Sequence, residues 1–353
     1  MKAPDSALHI DAVREEYVPD GRSGIFEIRL EPAASKRARA ALVLTGQTTH
    51  DEAVTELLRR LRADGLTVRD SVTRLPDAAV GPAGHALVRA AVAPLYVTPR
   101  LPASQISELV LGMRVEVLSR DGDWLRIRAE DGYLGWVHAG YVEQGSPEWT
   151  FAWERGTAGE AVVSLGAELV DDDGRTLARL PWGARLARHS GSYQLPDGRR
   201  GTVVNGEVID VDRLLDRSPP RGESVARKSR RWLGTPYLWG GVTPAGADCS
   251  GFTQAVMWMH GIALPRDSDL QERTGAEVEV DEDFAALRPG DLVYFAEAGA
   301  RVSHVAFSLG GAQIIHAALS NGGVHTNDLT GLTPFEQRLR QMLVRVRRML
   351  PEL

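Results

Sequence analysis

The chain has 353 residues, of which 43% are hydrophobic and 25% are charged, so it can bury a sizeable core and is too long for one compact unit. Its net charge of −6 argues against nucleic acid as the main partner, because phosphate binding relies on a basic face. Its single cysteine excludes an internal disulfide and zinc sites built from cysteine pairs, and it fits a reducing compartment.

The first residues of the chain, MKAPDSALHIDAVREEY, lack the roughly 7–15-residue apolar stretch of a signal peptide. The apolar runs elsewhere are shorter than the ~20 residues that a membrane span needs, so we expect no membrane partner. We therefore expect a cytoplasmic protein, or a secreted one if a leader is missing from this sequence. Two basic clusters, RKSRR at 227–231 and RVRR at 345–348, are predicted to be solvated faces of a helix and of a strand.

Residues 1–84 are predicted to form a small N-terminal α/β module. Residues 24–32 and 40–46 alternate between apolar and polar side chains, as strands do, and residues 50–65 carry apolar residues at helical spacing. Gly65 then stands where a helix commonly ends on a glycine. The sequence gives no indication of what this module does.

An internal repeat marks the next part of the chain. The motif DGYLGWV at 131–137 resembles DGRRGTV at 197–203, and short alternating strands with Gly and Asp turns surround both copies. This pattern is typical of small β-barrels, and we assign one barrel to residues 85–146 and a second to residues 150–214.

The last domain is predicted to span residues 224–353. It follows the polar, proline-containing segment 216–223, which is typical of a linker, and it opens with a helix and continues as helix, then strands.

The only cysteine is predicted to lie at the beginning of a helix. Asp248 is placed to cap that helix, its apolar residues fall on one stripe, and Gly261 ends it. Cys249 would then occupy the first turn, where unpaired backbone N–H groups and the helix dipole lower a thiol pKa. The same N–H groups could receive the oxyanion of an acyl-transfer intermediate.

Two histidines follow on a predicted hairpin. Residues 303–309 and 312–318 alternate as strands around Gly310 and Gly311, and each strand carries one histidine. A two-residue loop would place the two histidines on opposite faces, whereas a three-residue loop would pair them directly. A catalytic role therefore predicts an odd-numbered loop or a compensating bulge, with His304 near the thiol and His316 behind it.

The motifs GTPYLWGG, DCSGF, SHVAF and IIHA closely resemble those of the NlpC-type papain-like peptidases, which cut bacterial cell-wall peptides. The resemblance spans roughly residues 224–330. It implies a papain-like α+β peptidase domain. With the two SH3-like barrels and the N-terminal α/β module, the chain is predicted to be a multidomain α+β protein. The implied catalytic residues are Cys249 as nucleophile, His304 as general base, His316 as orienting residue and Tyr237 beside the nucleophile. An aromatic core position is the alternative for Tyr237.

The order of domains resembles that of the recycling-type γ-D-glutamyl-L-diamino acid endopeptidases, which release L-Ala-γ-D-Glu from short peptides with a free amino end. In these enzymes a tyrosine of the first barrel, here Tyr133, contacts the terminal alanine; the second copy has Arg199 instead. The remaining substrate-binding candidates are Glu108, Trp239, Asp248, Ser250, Asp267 and Ser268. Glu108 could instead be exposed on a loop, Trp239 could belong to the core, and Ser268 could form a capping box with Gln271.

The resemblance implies murein peptides as the partner and no cofactor or metal. Three alternatives stay open: a secreted hydrolase acting on intact peptidoglycan, a non-catalytic wall-binding protein, and an acyltransferase or amidase of the same thiol chemistry. The sequence does not indicate the oligomeric state or whether the diamino acid is diaminopimelate or lysine.

Overall fold

The computed structural model describes residues 4–33, 42–155 and 160–350. The α-helices are α1 (Pro4–Tyr17), α2 (Asp51–Ala63), α3 (Pro147–Glu154), α4 (Leu214–Arg217), α5 (Gly222–Ser229), α6 (Cys249–Trp258), α7 (Ser268–Gln271) and α8 (Pro334–Met342). No helix in this part of the chain is long and apolar enough to span a membrane.

The strands before the last domain form three groups. The first group is β1 (Phe26–Pro32), β2 (Leu42–Thr48) and β3 (Val68–Arg74). The second is β4 (His85–Val88), β5 (Val92–Tyr96), β6 (Gln105–Val110), β7 (Arg114–Asp121), β8 (Trp124–Arg128), β9 (Leu134–His138) and β10 (Val142–Gly145). The third is β11 (Glu160–Val170), β12 (Thr176–His189), β13 (Ser192–Gln194) and β14 (Arg200–Asp210).

The last domain contributes the remaining strands. They are β15 (Val242–Thr243), β16 (Gly246–Ala247), β17 (Ala276–Glu277), β18 (Leu292–Phe295), β19 (His304–Gly310), β20 (Gln313–Ala318), β21 (Gly323–Asp328) and β22 (Leu343–Arg348).

The N-terminal region is a three-stranded sheet covered by two helices. Its order is β1-β2-β3. β1 is antiparallel to β2, and β2 is parallel to β3, as expected when α2 connects β2 to β3. The fully buried Leu57 and Leu61 of α2 pack with Val13 of α1 and Leu44 of β2. The sequence predicted α2, β1 and β2 but not α1. Residues 40 and 41 of the second predicted strand lie outside the described residues.

The two copies of the repeat adopt the same turn. In the first, the Tyr133 backbone N–H donates to the Asp131 carboxylate and Gly132 has φ +83°. In the second, the Arg199 N–H donates to the Asp197 carboxylate and Gly198 has φ +83°. Each Asp-Gly pair thus closes a turn in which only glycine adopts the left-handed conformation without strain.

The strands around these turns form two separate sheets. The first copy belongs to a seven-stranded sheet of order β10-β4-β7-β8-β9-β5-β6, and the second to a closed barrel of β11, β12, β13 and β14. The first sheet, for which we keep the name first barrel, is open because its end strands β10 and β6 do not pair, so the prediction of a barrel holds in closed form only for the second copy. The second sheet is the smaller one and its β13 has only three residues, in keeping with the weaker sequence match of that copy.

The last domain packs α6 against a six-stranded sheet of order β17-β22-β18-β19-β20-β21. Phe252 of α6 contacts Trp232 and Phe307 of β19 at ring distances of 5.4 and 5.5 Å, and all three are fully buried. This core fixes the beginning of α6 against the strands that carry the two histidines.

The prediction that the basic clusters are solvated faces is wrong in part. Lys228 is buried, with its ammonium group 5.7 Å from the ring of Trp182 in the second barrel. On β22, Arg345 pairs with Glu272 at 3.1 Å, and Arg347 donates to the Glu272 carbonyl at 2.7 Å. These cations hold neighbouring elements together instead of forming a free basic surface.

Candidate active site

Cys249 is the first residue of α6, as predicted. The Asp248 side chain caps the helix by accepting the Gly251 N–H at 2.7 Å, and Gly261, at φ +75°, follows its end. The sulfur accepts backbone N–H groups from Ser250 and from Val305, which follows His304 on β19. Cys249 is 7% exposed, and its sulfur lies against the beginning of the histidine strand.

The predicted lowering of the thiol pKa is wrong. Burial raises the pKa of Cys249 to about 12, helped by the nearby Asp248 carboxylate and opposed by the two N–H groups and Arg266. The cost of removing a thiolate from water therefore exceeds the benefit of the helix position. The thiol of the free protein is protonated at neutral pH.

The histidine hairpin contains the compensating bulge that a catalytic role requires. Phe307 pairs with Ile315, but Gly310 pairs with Gln313, so the register shifts between Ser308 and Gly310. Below this bulge His304 and His316 lie on the same face of the sheet, and His304 Nε2 is 2.6 Å from His316 Nδ1. The two histidines are diagonal neighbours and not the direct pair of the three-residue-loop alternative.

A polar chain behind the histidines fixes their tautomers. The Asn327 Oδ1 atom lies 2.9 Å from His316 Nε2 and also accepts from Asn321 Nδ2 at 2.8 Å. Because an amide oxygen only accepts, His316 carries its proton on Nε2, and its Nδ1 must accept from His304 Nε2. His304 Nδ1 is therefore the unprotonated nitrogen that can take a proton from the thiol.

The sequence did not reveal Asn327. It lies on β21, beside β20, and reaches His316 only through the strand pairing that sets Ile314 opposite Asn327. An asparagine in an alternating strand has no local signal that marks it as a hydrogen-bond partner.

Both histidines are held neutral. Burial lowers the pKa of His304 well below 6.5, and the nearby His316 lowers it further. Burial also lowers the pKa of His316 to about 4, although its hydrogen bond to Asn327 opposes the shift. The resting site thus has a protonated thiol and a neutral imidazole, and the imidazole is on the strand whose Val305 N–H contacts the sulfur.

A groove of about 240 Å³ opens beside His304, and Tyr237 and Phe335 are among its other lining residues. Burial raises the pKa of Tyr237 above its usual range, and the nearby Cys249 raises it further. Tyr237 is partly buried and packs against the core cluster that includes Cys249, so it lies beside the sulfur as the resemblance implies.

Asp248 is engaged on both carboxylate oxygens. Arg266 donates to it at 3.1 and 2.6 Å, and the backbone N–H groups of Gly240 and Gly251 and the Ser250 hydroxyl complete the set. Arg266, which is 2% exposed, also donates to Ser250 at 2.9 Å and to Ser107 of the first barrel at 2.8 Å. Asp248 and Ser250 therefore form the buried support of the site. Sequence reasoning missed Arg266, because an arginine in a loop is usually exposed.

The first barrel contacts the peptidase domain through two of the predicted residues. The Tyr133 hydroxyl donates to Asp267 Oδ2 at 3.0 Å. Glu108 lies on β6, partly buried, and accepts the Val242 N–H at 3.0 Å, so the exposed-loop alternative is wrong. Burial raises the pKa of Glu108.

Two further expectations need correction. Trp239 is 66% exposed, so the alternative of a core position is wrong, and its place in the wall of the cleft stays a prediction. Asp267, not Ser268, precedes α7, and Gln271 donates to the Ser250 and Pro265 carbonyls instead of closing a capping box. Gln271 is fully buried, and a buried side-chain amide needs hydrogen-bond partners, which these carbonyls provide. This need decides its conformation, and the local capping pattern does not.

Within residues 4–33, 42–155 and 160–350, no three His, Cys, Asp or Glu side chains are grouped so that they could hold a metal ion. The chemistry available in the described site is that of a thiol and an oriented imidazole.

Comparison with known proteins assigns families to two parts of the chain. Residues 234–344 match the NlpC/P60 family and residues 91–143 match the bacterial SH3 domain. The predicted resemblance and an SH3-like domain ahead of it are confirmed; the SH3 assignment of the second barrel stays a prediction.

Two relatives are similar to this chain over a stretch longer than either domain. A gamma-D-glutamyl-L-lysine dipeptidyl-peptidase of Bacillus cereus is 28% identical over 57% of this chain, and the match spans 63% of that relative, less than two thirds of its length. Dipeptidyl-peptidase 6 of Lysinibacillus sphaericus is 26% identical over 69% of this chain and 92% of its own.

Two solved structures show the same fold. An NlpC/P60 family protein from Bacillus cereus matches 76% of this chain and all of its own, with a TM-score of 0.62 and 24% identity. An NlpC/P60 endopeptidase from Photobacterium damselae subsp. piscicida matches 96% of this chain and 81% of its own, with a TM-score of 0.56 and 18% identity.

The buried Arg266–Asp248 pair gives a prediction about stability. Arg266→Met should lower the free energy of unfolding by roughly 3–5 kcal/mol, because it leaves the Asp248 carboxylate buried without its cation. Urea unfolding followed by circular dichroism measures this. Arg199→Met is the matched control, since Arg199 pairs with Asp197 at the surface and should cost less than about 1 kcal/mol. Equal losses in the two variants would contradict the structural role of Arg266.

Proposed function

Because residues 234–344 form an NlpC/P60 domain and residues 91–143 a bacterial SH3 domain, we propose that the protein is a cysteine endopeptidase that hydrolyses the γ-D-glutamyl-L-diamino acid bond of murein peptides. The proposed substrates carry a free N-terminal L-Ala, and the proposed role is cell-wall peptide recycling in the cytoplasm. The observation that carries the proposal is the hydrogen-bonded chain that leaves His304 Nδ1 unprotonated, on the strand that the Cys249 sulfur contacts.

The first half-reaction begins from the neutral pair. His304 Nδ1 takes the thiol proton as the Cys249 sulfur attacks the γ-glutamyl carbonyl, so a thiolate need not exist in the free protein. The imidazolium that forms is stabilised through the hydrogen bond from His304 Nε2 to His316, and Asn327 holds His316 in the accepting tautomer.

The developing oxyanion has a donor at the same helix end. The first N–H groups of a helix lack intrahelical acceptors. In α6 the Gly251 N–H is taken by Asp248 and the Ser250 N–H by the sulfur, which leaves the Cys249 N–H for the oxyanion. His304 then protonates the leaving amine, and water releases the dipeptide from the thioester with His304 again as base.

The contacts of the first barrel support a short substrate with a free amine. Tyr133 and Glu108 both belong to this barrel and both contact the peptidase domain, Tyr133 at Asp267 and Glu108 at Val242. Carboxylates at a closed end can replace the water of an ammonium group, whereas a substrate that continues past its L-Ala into intact wall would meet the barrel. The relatives named as dipeptidyl-peptidases support the same choice.

Replacing the nucleophile tests the reaction. Cys249→Ala should reduce hydrolysis of L-Ala-γ-D-Glu-diamino acid peptides by roughly 10³-fold or more, since the covalent route is lost. Mass spectrometry of the products from a free tripeptide and from insoluble wall measures this and separates recycling from wall remodelling. The circular dichroism spectrum should stay unchanged. Undiminished turnover in this variant would contradict the proposal, and products from wall alone would favour the secreted hydrolase.

Asn327 gives a prediction about pH. In the unaltered protein the acid limb of kcat/KM should lie below pH 6.5, because His304 must be neutral and its pKa is lowered. Asn327→Asp should move this limb to higher pH, since a carboxylate stabilises a proton on the histidine pair. Asn327→Leu should lower kcat by about 10²-fold because the tautomer of His316 is no longer fixed, and it should not move the acid limb to higher pH because it adds no carboxylate. Unchanged profiles in both variants would contradict the relay.

Blocking the substrate amine tests the closed end of the cleft. Acetylation of the terminal L-Ala should lower kcat/KM by about 30-fold or more, because a charged hydrogen bond contributes roughly 2 kcal/mol. Rates on the free and the acetylated tripeptide, measured side by side, give the ratio. Equal rates would argue against recognition of a free amine.

A further inference from the structure

The turn after α1 brings Arg22 to a junction of three parts of the protein. Its backbone carbonyl accepts the Leu134 N–H of the first barrel at 2.8 Å. Its guanidinium reaches the peptidase domain, where Nη1 donates to Asp267 Oδ2 at 2.8 Å and to Asp269 Oδ1 at 2.7 Å, and Nη2 donates to Asp269 Oδ2 at 2.9 Å. The N-terminal module therefore contacts Asp267, the carboxylate that the proposed function assigns to the substrate amine.

Arg22 is itself fixed before it reaches the cleft. Asp20 accepts from the Arg22 Nε atom and backbone N–H at 2.9 Å each, and from Nη2 at 2.6 Å. The side chain is only 25% exposed. A guanidinium that is held on several sides presents its remaining donors in a defined plane, which a flexible surface arginine does not.

Asp267 depends on this guanidinium for its orientation. Its Oδ2 atom accepts from Arg22 and from the Tyr133 hydroxyl, at 2.8 and 3.0 Å. Its Oδ1 atom accepts no hydrogen bond from the described residues. The arrangement therefore directs one oxygen to the protein and keeps the other available for a ligand.

The charge balance of the junction also depends on Arg22. Three carboxylates, of Asp20, Asp267 and Asp269, accept hydrogen bonds from its guanidinium. Arg301 is 70% exposed and lies 3.4 Å from Asp269, and Arg266 and Arg273 act on Asp267 and Asp20 without a hydrogen bond to either carboxylate. Without Arg22 the carboxylates would repel one another, and Asp267 would be free to rotate away from Tyr133.

We infer that Arg22 of the N-terminal module is a positioning residue for substrate recognition: it orients Asp267 so that Oδ1 can accept the ammonium group of the substrate. This inference rests on the proposed function, because it assigns the module a role in the amine end of that same cleft. The N-terminal module is then part of the specificity apparatus and not only an attached domain.

A matched control separates this role from the docking of the module. Arg126 of the first barrel donates to Glu27 of the module at 2.6 and 3.0 Å, and neither residue contacts Asp267. Arg126→Met therefore removes a bridge between module and barrel and leaves the junction at Arg22 intact. Arg22→Lys retains the charge and loses the planar donor set.

The test compares these full-length variants on the free and the acetylated tripeptide. Arg22→Met should raise KM for the free peptide roughly 10-fold with kcat within about 2-fold, and should reduce the preference for the free amine by the same factor. Arg22→Lys should recover part of the loss, and Arg126→Met should retain the unaltered values. A free-amine preference that survives in Arg22→Met, or an equal loss in Arg126→Met, would overturn the inference.

Binding measured without turnover keeps this test separate from the proposed reaction. In the Cys249→Ala background, calorimetry of the free tripeptide should show the same roughly 10-fold weakening when Arg22 becomes Met. Hydrolysis by the unaltered protein tests the proposed function, whereas the Arg22 effect on Kd tests the inference. An unchanged Kd would overturn the inference even if the unaltered protein is active.

Discussion

The site depends on one buried chain of hydrogen bonds, from Asn327 through His316 to His304. Because both imidazoles are buried and their pKa values are lowered, each nitrogen must be either a donor or an acceptor, and Asn327 determines which. The lone pair on His304 Nδ1 follows from an amide on a different strand. The fold contributes the bulge between Ser308 and Gly310, which puts the two histidines on one face of the sheet.

Burial gives the site its resting state. The same loss of water that raises the pKa of Cys249 to about 12 also keeps His304 neutral. The thiol and the imidazole are therefore both uncharged before a substrate binds. The charges that do exist in the cleft are paired: Asp248 with Arg266 below the nucleophile, and Asp267 with Arg22 at the far end. Chain segments from the first barrel and the N-terminal module thus both contact the peptidase domain at Asp267.

Much of the centre was predictable, and the reasons are local. A cysteine after a capping aspartate and a histidine on an alternating strand can be read from the chain, and parity showed that His316 could share a face with His304 only with an odd-numbered loop or a bulge. The misses are non-local or depend on burial. Asn327 and Arg22 act across strands or domains, the fate of Gln271 depends on carbonyls packed around it, and the pKa of Cys249 depends on how deep α6 lies.

The measurement that tests this account most directly is the nitrogen-15 NMR spectrum of His304 in the unaltered protein, recorded from pH 7 downward. The account predicts a neutral ring with the proton on Nε2 and a bare Nδ1, and no titration until the pH is below 6.5. A doubly protonated ring at pH 7 would mean a resting thiolate–imidazolium pair, and a proton on Nδ1 alone would mean that the chain from Asn327 does not set the base. Either result would contradict the account.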